Sequence, residues 1–157
     1  MLTIDIYHQQ FTEAFSALRA NLADLQPVLH DIGVGLEGRV SARFETRTDP
    51  LGHAWHPWAQ STIESYPFPG TREAARMGKP GNERLLDRYG DMLDGLSSQA
   101  DASSVRVGFD KPYAVYHEWG TKHMKRRGML TANPDTGELA PDDVAMVMDI
   151  LQRHLFT

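Results

Sequence analysis

Apolar residues in the first third of the chain recur at helical spacing. One series advances alternately by four and three positions, which places its members on one face of a helix. It consists of Phe11, Phe15, Leu18, Leu22 and Leu25. Pro27 ends that helix but suits the first turn of the next one, whose apolar series is Leu29, Ile32, Leu36, Val40 and Phe44. We expect a hairpin of two helices, in which Gly33, Gly35 and Gly38 let a neighbouring element approach closely.

Turn-forming residues dominate positions 45–84. Prolines and glycines recur throughout this stretch and exclude a long helix or a central strand. We therefore expect a long loop that Trp55 and Trp58 anchor. Because its second part, residues 67–84, combines dense Pro and Gly with few apolar residues, we expect that part to be mobile in the free subunit and to order on assembly.

A β-hairpin is predicted in the middle of the chain. Apolar and other residues alternate over positions 105–109, which is the period of a strand. The expected pairing joins residues 91–98, as one arm, to residues 103–109, as the other. The next segment, residues 113–119, is predicted to be a short helix that Gly120 caps. Its aromatic residues are expected to lie in the core; they are Tyr113, Tyr116 and Trp119.

A last helix is predicted to begin at Pro141. Asp142 and Asp143 then lie at its positive end, and Arg153 and His154 at its negative end. Its predicted apolar face is Val144, Val147, Met148, Leu151 and Leu155. The class is therefore α+β, with an N-terminal helical hairpin, a long loop, a small antiparallel β-hairpin and a C-terminal helix. One domain is expected to span residues 1–157, since domains commonly contain roughly 100–200 residues.

Composition narrows the classes of function. The net charge of −5 argues against a generally basic nucleic-acid coat. The absence of cysteine excludes disulfides, thiolate metal sites and cysteine nucleophiles. The N-terminus lacks the pattern of a signal peptide, and no apolar run approaches the roughly 18 residues of a membrane span. We expect a protein that is made in a cytoplasm and does not enter a membrane.

Histidines are the main candidates for chemistry. His53 and His56 are three positions apart, but they lie in a Pro-rich loop without regular helix geometry. His117 and Glu118 are followed by His123, six positions after the first histidine and beyond a glycine. A zinc-protease helix needs its two histidines four positions apart, so this spacing does not fit. Phosphate-loop and serine-elbow motifs are absent as well. We predict no catalytic or metal site, no cofactor and no enzyme activity.

Four fixed positive charges lie close together on this acidic chain. They are Lys122, Lys125, Arg126 and Arg127, with His123 among them. Such a cluster is compatible with a solvated loop, with contact to an acidic protein surface, or with contact to nucleic-acid phosphates. The sequence leaves all three readings open.

Three blocks of the sequence resemble a known family. The first, within residues 44–62, contains Asp49, Gly52, Trp55, Pro57 and Thr62. The second contains Leu85, Leu86, Gly90 and Leu93. The third contains Val105, Val107, Gly108, Tyr113, Ala114, His117, Gly120 and Thr121. In this order and spacing, over about residues 40–130, they resemble the phage virion morphogenesis family, the tail-completion or head–tail joining proteins of Mu-like and other contractile-tailed phages. The chain departs from the family pattern at residues 125–130, which keep an arginine but lack the family's proline.

The resemblance implies a structural protein of a phage or prophage. It would act in tail completion and head–tail joining at the neck, as a closed homo-oligomeric ring among other neck and tail proteins. Its candidate contact residues are Trp55, Trp58, Lys122, Lys125, Arg126 and Arg127. Two alternatives remain: a metal-dependent hydrolase that uses the loop histidines, and a nucleic-acid-binding module that uses the basic loop of residues 122–127.

Overall fold

The computed structural model describes residues 9–156, and its architecture is α+β. The helices are α1 (Gln9–Ala23), α2 (Gln26–Thr46), α3 (Gln60–Ser65), α4 (Arg72–Met77), α5 (Asp91–Asp94), α6 (Ala114–Trp119) and α7 (Pro141–Leu155). The strands are β1 (Leu96–Ala100) and β2 (Val105–Phe109). Among the described helices, none is long and apolar enough to cross a membrane.

The long helix α2 is the centre of the fold, and it packs against α7 and against both strands. Pro27 lies in its first turn, and the predicted apolar series faces inward, with Ile32, Val40 and Phe44 buried. Both predicted N-terminal helices are confirmed, and α1 also contacts α7. The side chains of Phe11 and Phe15 lie outside the part of the chain that the structure describes.

Two of the three glycines in α2 stand where a neighbour comes close. A Cβ atom on Gly33 would lie 2.7 Å from Ser98 Oγ of β1, and one on Gly35 would lie 2.5 Å from Met146 Sδ of α7. A side chain at either position would push that neighbour away. The prediction of close approach is confirmed for these two and wrong for Gly38, whose Cβ position has no described residue of another element within 4 Å.

The predicted hairpin forms, but its first arm begins later in the chain. β1 and β2 pair antiparallel from Leu96 opposite Phe109 to Ala100 opposite Val105. The second arm is confirmed, whereas the first was predicted from residue 91, where Asp91–Asp94 forms helix α5. Gly90 precedes this helix in the left-handed region, at φ 86°, and a carboxylate in the first turn favours a helix N-terminus.

The segment predicted as one long loop contains two short helices, α3 and α4. Thr71 caps α4 by accepting a hydrogen bond from the Ala74 N–H at 3.2 Å, and Gly78 ends the helix in the left-handed region. The expectation of an unbroken loop was therefore wrong, although no long helix forms here. The mobility of residues 67–84 in the free subunit stays a prediction.

The core lies between α2, the hairpin and the segments around them. Its buried members are Val40, Phe44, Trp55, Met92, Ala114 and Met129. Phe44 and Trp55 meet edge to face with ring centroids 5.4 Å apart, a favourable geometry for aromatic rings. Trp55 therefore anchors its loop, as predicted, by entering the core.

Helix α7 has the predicted limits but a different buried face. Asp143, at its N-terminal end, is fully buried, and Met146 approaches α2 at Gly35. Val144 and Met148 were predicted to face inward, yet their side chains are 45% and 48% exposed. The predicted face was wrong at these two positions because the inward side of the helix runs through Asp143, Met146 and Val147.

Candidate functional site

Helix α6 buries a charged side chain and exposes apolar ones, which is the reverse of the usual amphipathic pattern. Its buried residues are Ala114 and the charged Glu118, while Tyr116 and Trp119 are 56% and 50% exposed. Tyr113 and Val115 are also exposed, so the outer side of the helix is apolar and aromatic throughout. The prediction that the three aromatics belong to the core was wrong. A helix on a protein surface normally presents polar residues to water.

Glu118 faces inward because its carboxylate is saturated with donors. Oε2 accepts hydrogen bonds from the N–H groups of Met129 at 2.7 Å and Leu130 at 3.1 Å. Oε1 accepts from Thr131, through its N–H at 3.0 Å and its hydroxyl at 2.7 Å. A buried carboxylate is stable only when its oxygens are satisfied in this way. Glu118 thereby holds the segment that follows the basic loop.

Arg126 and Arg127 of the basic cluster are bound within the subunit. Arg126 donates from Nε to the Glu118 carbonyl oxygen at 2.6 Å and from Nη2 to that of Thr131 at 2.7 Å. Arg127 donates to the carbonyl oxygens of His56 and Pro57, both at 2.8 Å. Burial lowers the pKa of Arg127 from its ordinary value. These two residues, which were predicted to contact a partner, hold loops of the subunit in place through these hydrogen bonds.

Lys122, His123 and Lys125 remain at the surface. Lys122 and His123 lie on the turn between Thr121 and Met124, directly after α6, and Lys125 follows this turn. The turn closes through a hydrogen bond of 2.8 Å from the Thr121 N–H to the Met124 oxygen. Within the described range, neither lysine forms an ion pair. The exposed aromatic side of α6 is thus continuous with a small basic surface.

The two loop tryptophans have different surroundings. Trp55 is buried and donates from Nε1 to the Gly128 oxygen at 2.9 Å, which joins the long loop to the basic loop. Trp58 is half-buried and stacks on Phe68, with centroids 5.0 Å apart and planes 14° apart. Tyr66 completes this group, with its centroid 4.2 Å from that of Trp58. The structure does not bring the two tryptophans together in one surface.

The histidines of the hydrolase alternative do not gather. His53 is exposed, and its Nδ1 lies 3.4 Å from Asp49 Oδ2. His117 is half-buried; burial, followed by the charge of Arg127, lowers its pKa below the ordinary value of 6.5. Between residues 9 and 156, no three His, Asp or Glu side chains are placed to hold a metal ion.

An open groove of about 260 Å³ adjoins the outer side of α6. Apolar side chains form most of its wall: Phe109, Pro112, Val115, Trp119, Met129 and Leu130. Trp119 stands at this groove with its Nε1 donating to Asp135 at 3.1 Å, which orients the ring without burying it. The site is therefore a surface for apolar contact, and buried hydrogen bonds hold the backbone beneath it in place.

The model of the Phage virion morphogenesis family matches residues 6–156, nearly the whole chain. The chain belongs to this family. No curated protein and no solved structure matches it.

Membership makes the chain a structural phage protein of virion assembly. The match extends past the three blocks that carry the residue-level resemblance and includes α1 and α7. In this morphogenesis protein, association with the virion and with other virion proteins follows from the family. The exposed side of α6 was not predicted from the sequence. The signal that could have revealed it was the charged Glu118 among aromatic neighbours.

Proposed function

We propose that this morphogenesis protein completes the phage tail and joins it to the head through protein–protein interfaces, as a closed homo-oligomeric ring. The observation that carries the proposal is the aromatic outer side of α6, where Tyr116 and Trp119 are half exposed or more. Aromatic side chains dominate the energetics of protein interfaces, and exposed apolar surface of this kind marks a contact site.

The buried charges support a structural role. Glu118, Arg126 and Arg127 hold loops to one another, and Arg43 pairs with Asp143 between helices. Each of these groups forms hydrogen bonds with partners inside the subunit. They stabilise the backbone beneath the α6 surface, which suits a surface that must keep its shape while it is docked.

The place of action that we propose is the neck of the virion. Assembly would take place in the host cytoplasm of a phage or prophage, with other neck and tail proteins as partners. The family supports association with virion proteins, and the mixed aromatic and basic surface suits an acidic protein partner.

Electron microscopy of lysates from a phage that lacks this gene tests the proposal. Full heads and separate, finished-looking tails are the expected result, with joined particles restored by the wild-type gene in trans. The variant Tyr116→Glu should fail to restore them, whereas Ile63→Glu should succeed because Ile63 is exposed on a different helix, α3. Normal infectious particles from the deletion phage would overturn the proposed function.

A further inference from the structure

Two helices of this chain carry exposed apolar side chains beside charges of opposite sign. We define the α6 face as Tyr113, Val115, Tyr116 and Trp119 with Lys122 and Lys125 of the segment that follows. We define the α7 face as Val144, Ala145 and Met148 with Asp142 and Asp149. The first face is aromatic and basic, and the second is aliphatic and acidic.

We propose that the α6 face of one copy docks on the α7 face of the next copy, head to tail. This inference rests on the proposed function, since it supplies the contact from which the ring is built. A closed ring of identical subunits needs two different, complementary surfaces on each subunit. The α6 face and the α7 face form such a pair, and the occupant of the α6 face is thus a second copy of this chain.

The α7 face has its apolar and acidic parts side by side. At 3.6 residues per turn, Val144 and Met148 lie one turn apart on one flank of the helix, and Asp142 and Asp149 lie two turns apart on the other. The exposed Ala145 lies between the two flanks. A small residue in the middle of the face lets a large ring such as that of Tyr116 approach the helix closely.

The charges can rearrange on docking. Lys122 and Lys125 form no ion pair among the residues described, and neither does Asp142. Asp149 pairs with Arg153 at 2.9 Å on the open surface of its own helix, an arrangement that contributes little. Opposite charges around an apolar centre fix the register of two surfaces and speed their encounter.

The groove beside α6 offers a place for an apolar side chain of the α7 face. The groove beside α6 is open and apolar, and Trp119 lies at its edge. Met148 is unbranched and half exposed, so it can enter such a groove without a change in the backbone. The docking that we propose places Met148 of the next copy in this groove.

Sedimentation velocity on the purified full chain tests the proposal with one variant for each face. Tyr116→Glu sets a negative charge against the acidic α7 face, and Met148→Lys sets a positive charge against the basic α6 face. Either change should raise the concentration for half-assembly by about 30-fold or more, as for loss of an interface hot spot. The control Ile63→Glu should assemble as the wild type does, and circular dichroism should show all three variants folded.

Mixing the two variants is the decisive measurement. A Tyr116→Glu copy keeps an intact α7 face, and a Met148→Lys copy keeps an intact α6 face, so a mixture should form the dimers that neither variant forms alone. A mixture that stays monomeric would overturn the pairing of these two faces. Wild-type protein that stays monomeric, or single variants that assemble normally, would overturn it as well.

Rescue of the deletion phage separates this inference from the proposed function. If Tyr116→Glu fails to rescue while the wild-type chain is monomeric, the α6 face binds another virion protein. The inference and the ring then fail, whereas the role in tail completion and head–tail joining stands. If the deletion phage is normal, the proposed function fails whatever the chain does in sedimentation.

Discussion

Arg43 and Asp143 join α2 to α7 through an ion pair that is buried inside the subunit. Arg43 Nη2 lies 2.6 Å from Asp143 Oδ1, and Arg39 also donates to this carboxylate. The Asp143 side chain is fully buried, whereas its neighbour Asp142 is exposed. The two adjacent aspartates at the start of α7 thus have different roles, and only Asp142 is available to a partner.

Asp143→Asn should lower the free energy of unfolding by about 3–5 kcal/mol, because the substitution leaves the buried Arg43 guanidinium without its counter-charge. Urea unfolding followed by circular dichroism measures the change. The matched control is Asp142→Asn, which alters the neighbouring exposed residue and should change stability by less than about 0.5 kcal/mol. Equal effects of the two substitutions would show that the ion pair does not hold the helices together.

Glu118→Ala should destabilise the protein by about 3 kcal/mol or more, because several donors lose a charged acceptor in a buried position. These donors are the N–H groups of Met129, Leu130 and Thr131. Hydrogen exchange should become faster at these three amides before it changes elsewhere. Glu138→Ala, at an exposed position of the same charge, serves as the control. If the three amides exchange as in the wild type, Glu118 does not anchor this segment.

Asp101 should titrate well below its ordinary range. The N–H of Ser103, followed by the hydroxyl and N–H of Ser104, lowers its pKa from 3.8 to about 2. Because the folded pKa is the lower one, the contribution to stability is present above pH 3.8 and is lost as the pH falls toward 2. Carbon-detected NMR titration of the carboxylate measures the pKa directly. An ordinary value near 3.8 would contradict these hydrogen bonds of Asp101 in the turn between β1 and β2.

The charged residues of the basic loop should fall into two groups, one that contributes to the stability of the subunit and one that does not. Lys122→Ala with Lys125→Ala should leave the free energy of unfolding within about 0.5 kcal/mol of wild type, because both side chains are exposed. Arg127→Ala should cost about 1.5–3 kcal/mol, since its charged hydrogen bonds to His56 and Pro57 are lost.

DNA binding of the same variants tests the nucleic-acid alternative. We expect no binding at low salt, because only two lysines of the cluster face the solvent and the net charge is −5. Steeply salt-dependent binding that disappears in the double lysine variant would instead support that alternative.

Local pattern was sufficient for the parts of the fold that nearby residues decide. The apolar series of α2, the cap of α6 at Gly120 and the limits of α7 follow from spacing and from capping chemistry. The close approach at Gly33 followed as well, since a glycine in a helix usually has a packing reason.

The orientation of α6 could not be predicted in this way. The pattern rule places aromatic residues inside, but Glu118 takes that position because its donors lie at residues 129–131, beyond any local window. Asp143 is a similar case: its place at a helix start is explained by the helix dipole, yet its partner Arg43 lies far away in the sequence. Burial of a charge depends on distant partners, and those appear only in the folded chain.

Charged side chains bind both backbone polar groups of Met129, its N–H and its carbonyl oxygen. Glu118 accepts a hydrogen bond from the N–H at 2.7 Å, and Arg43 donates one to the carbonyl oxygen at 2.7 Å. The same Arg43 side chain also donates to Asp143. Helices α6, α2 and α7 are therefore tied in series across a single residue. A force on the outer side of α6 is transmitted to α7 through these short, charged hydrogen bonds, rather than through side-chain packing, which deforms more easily. A subunit built in this way resists stretching between α6 and α7.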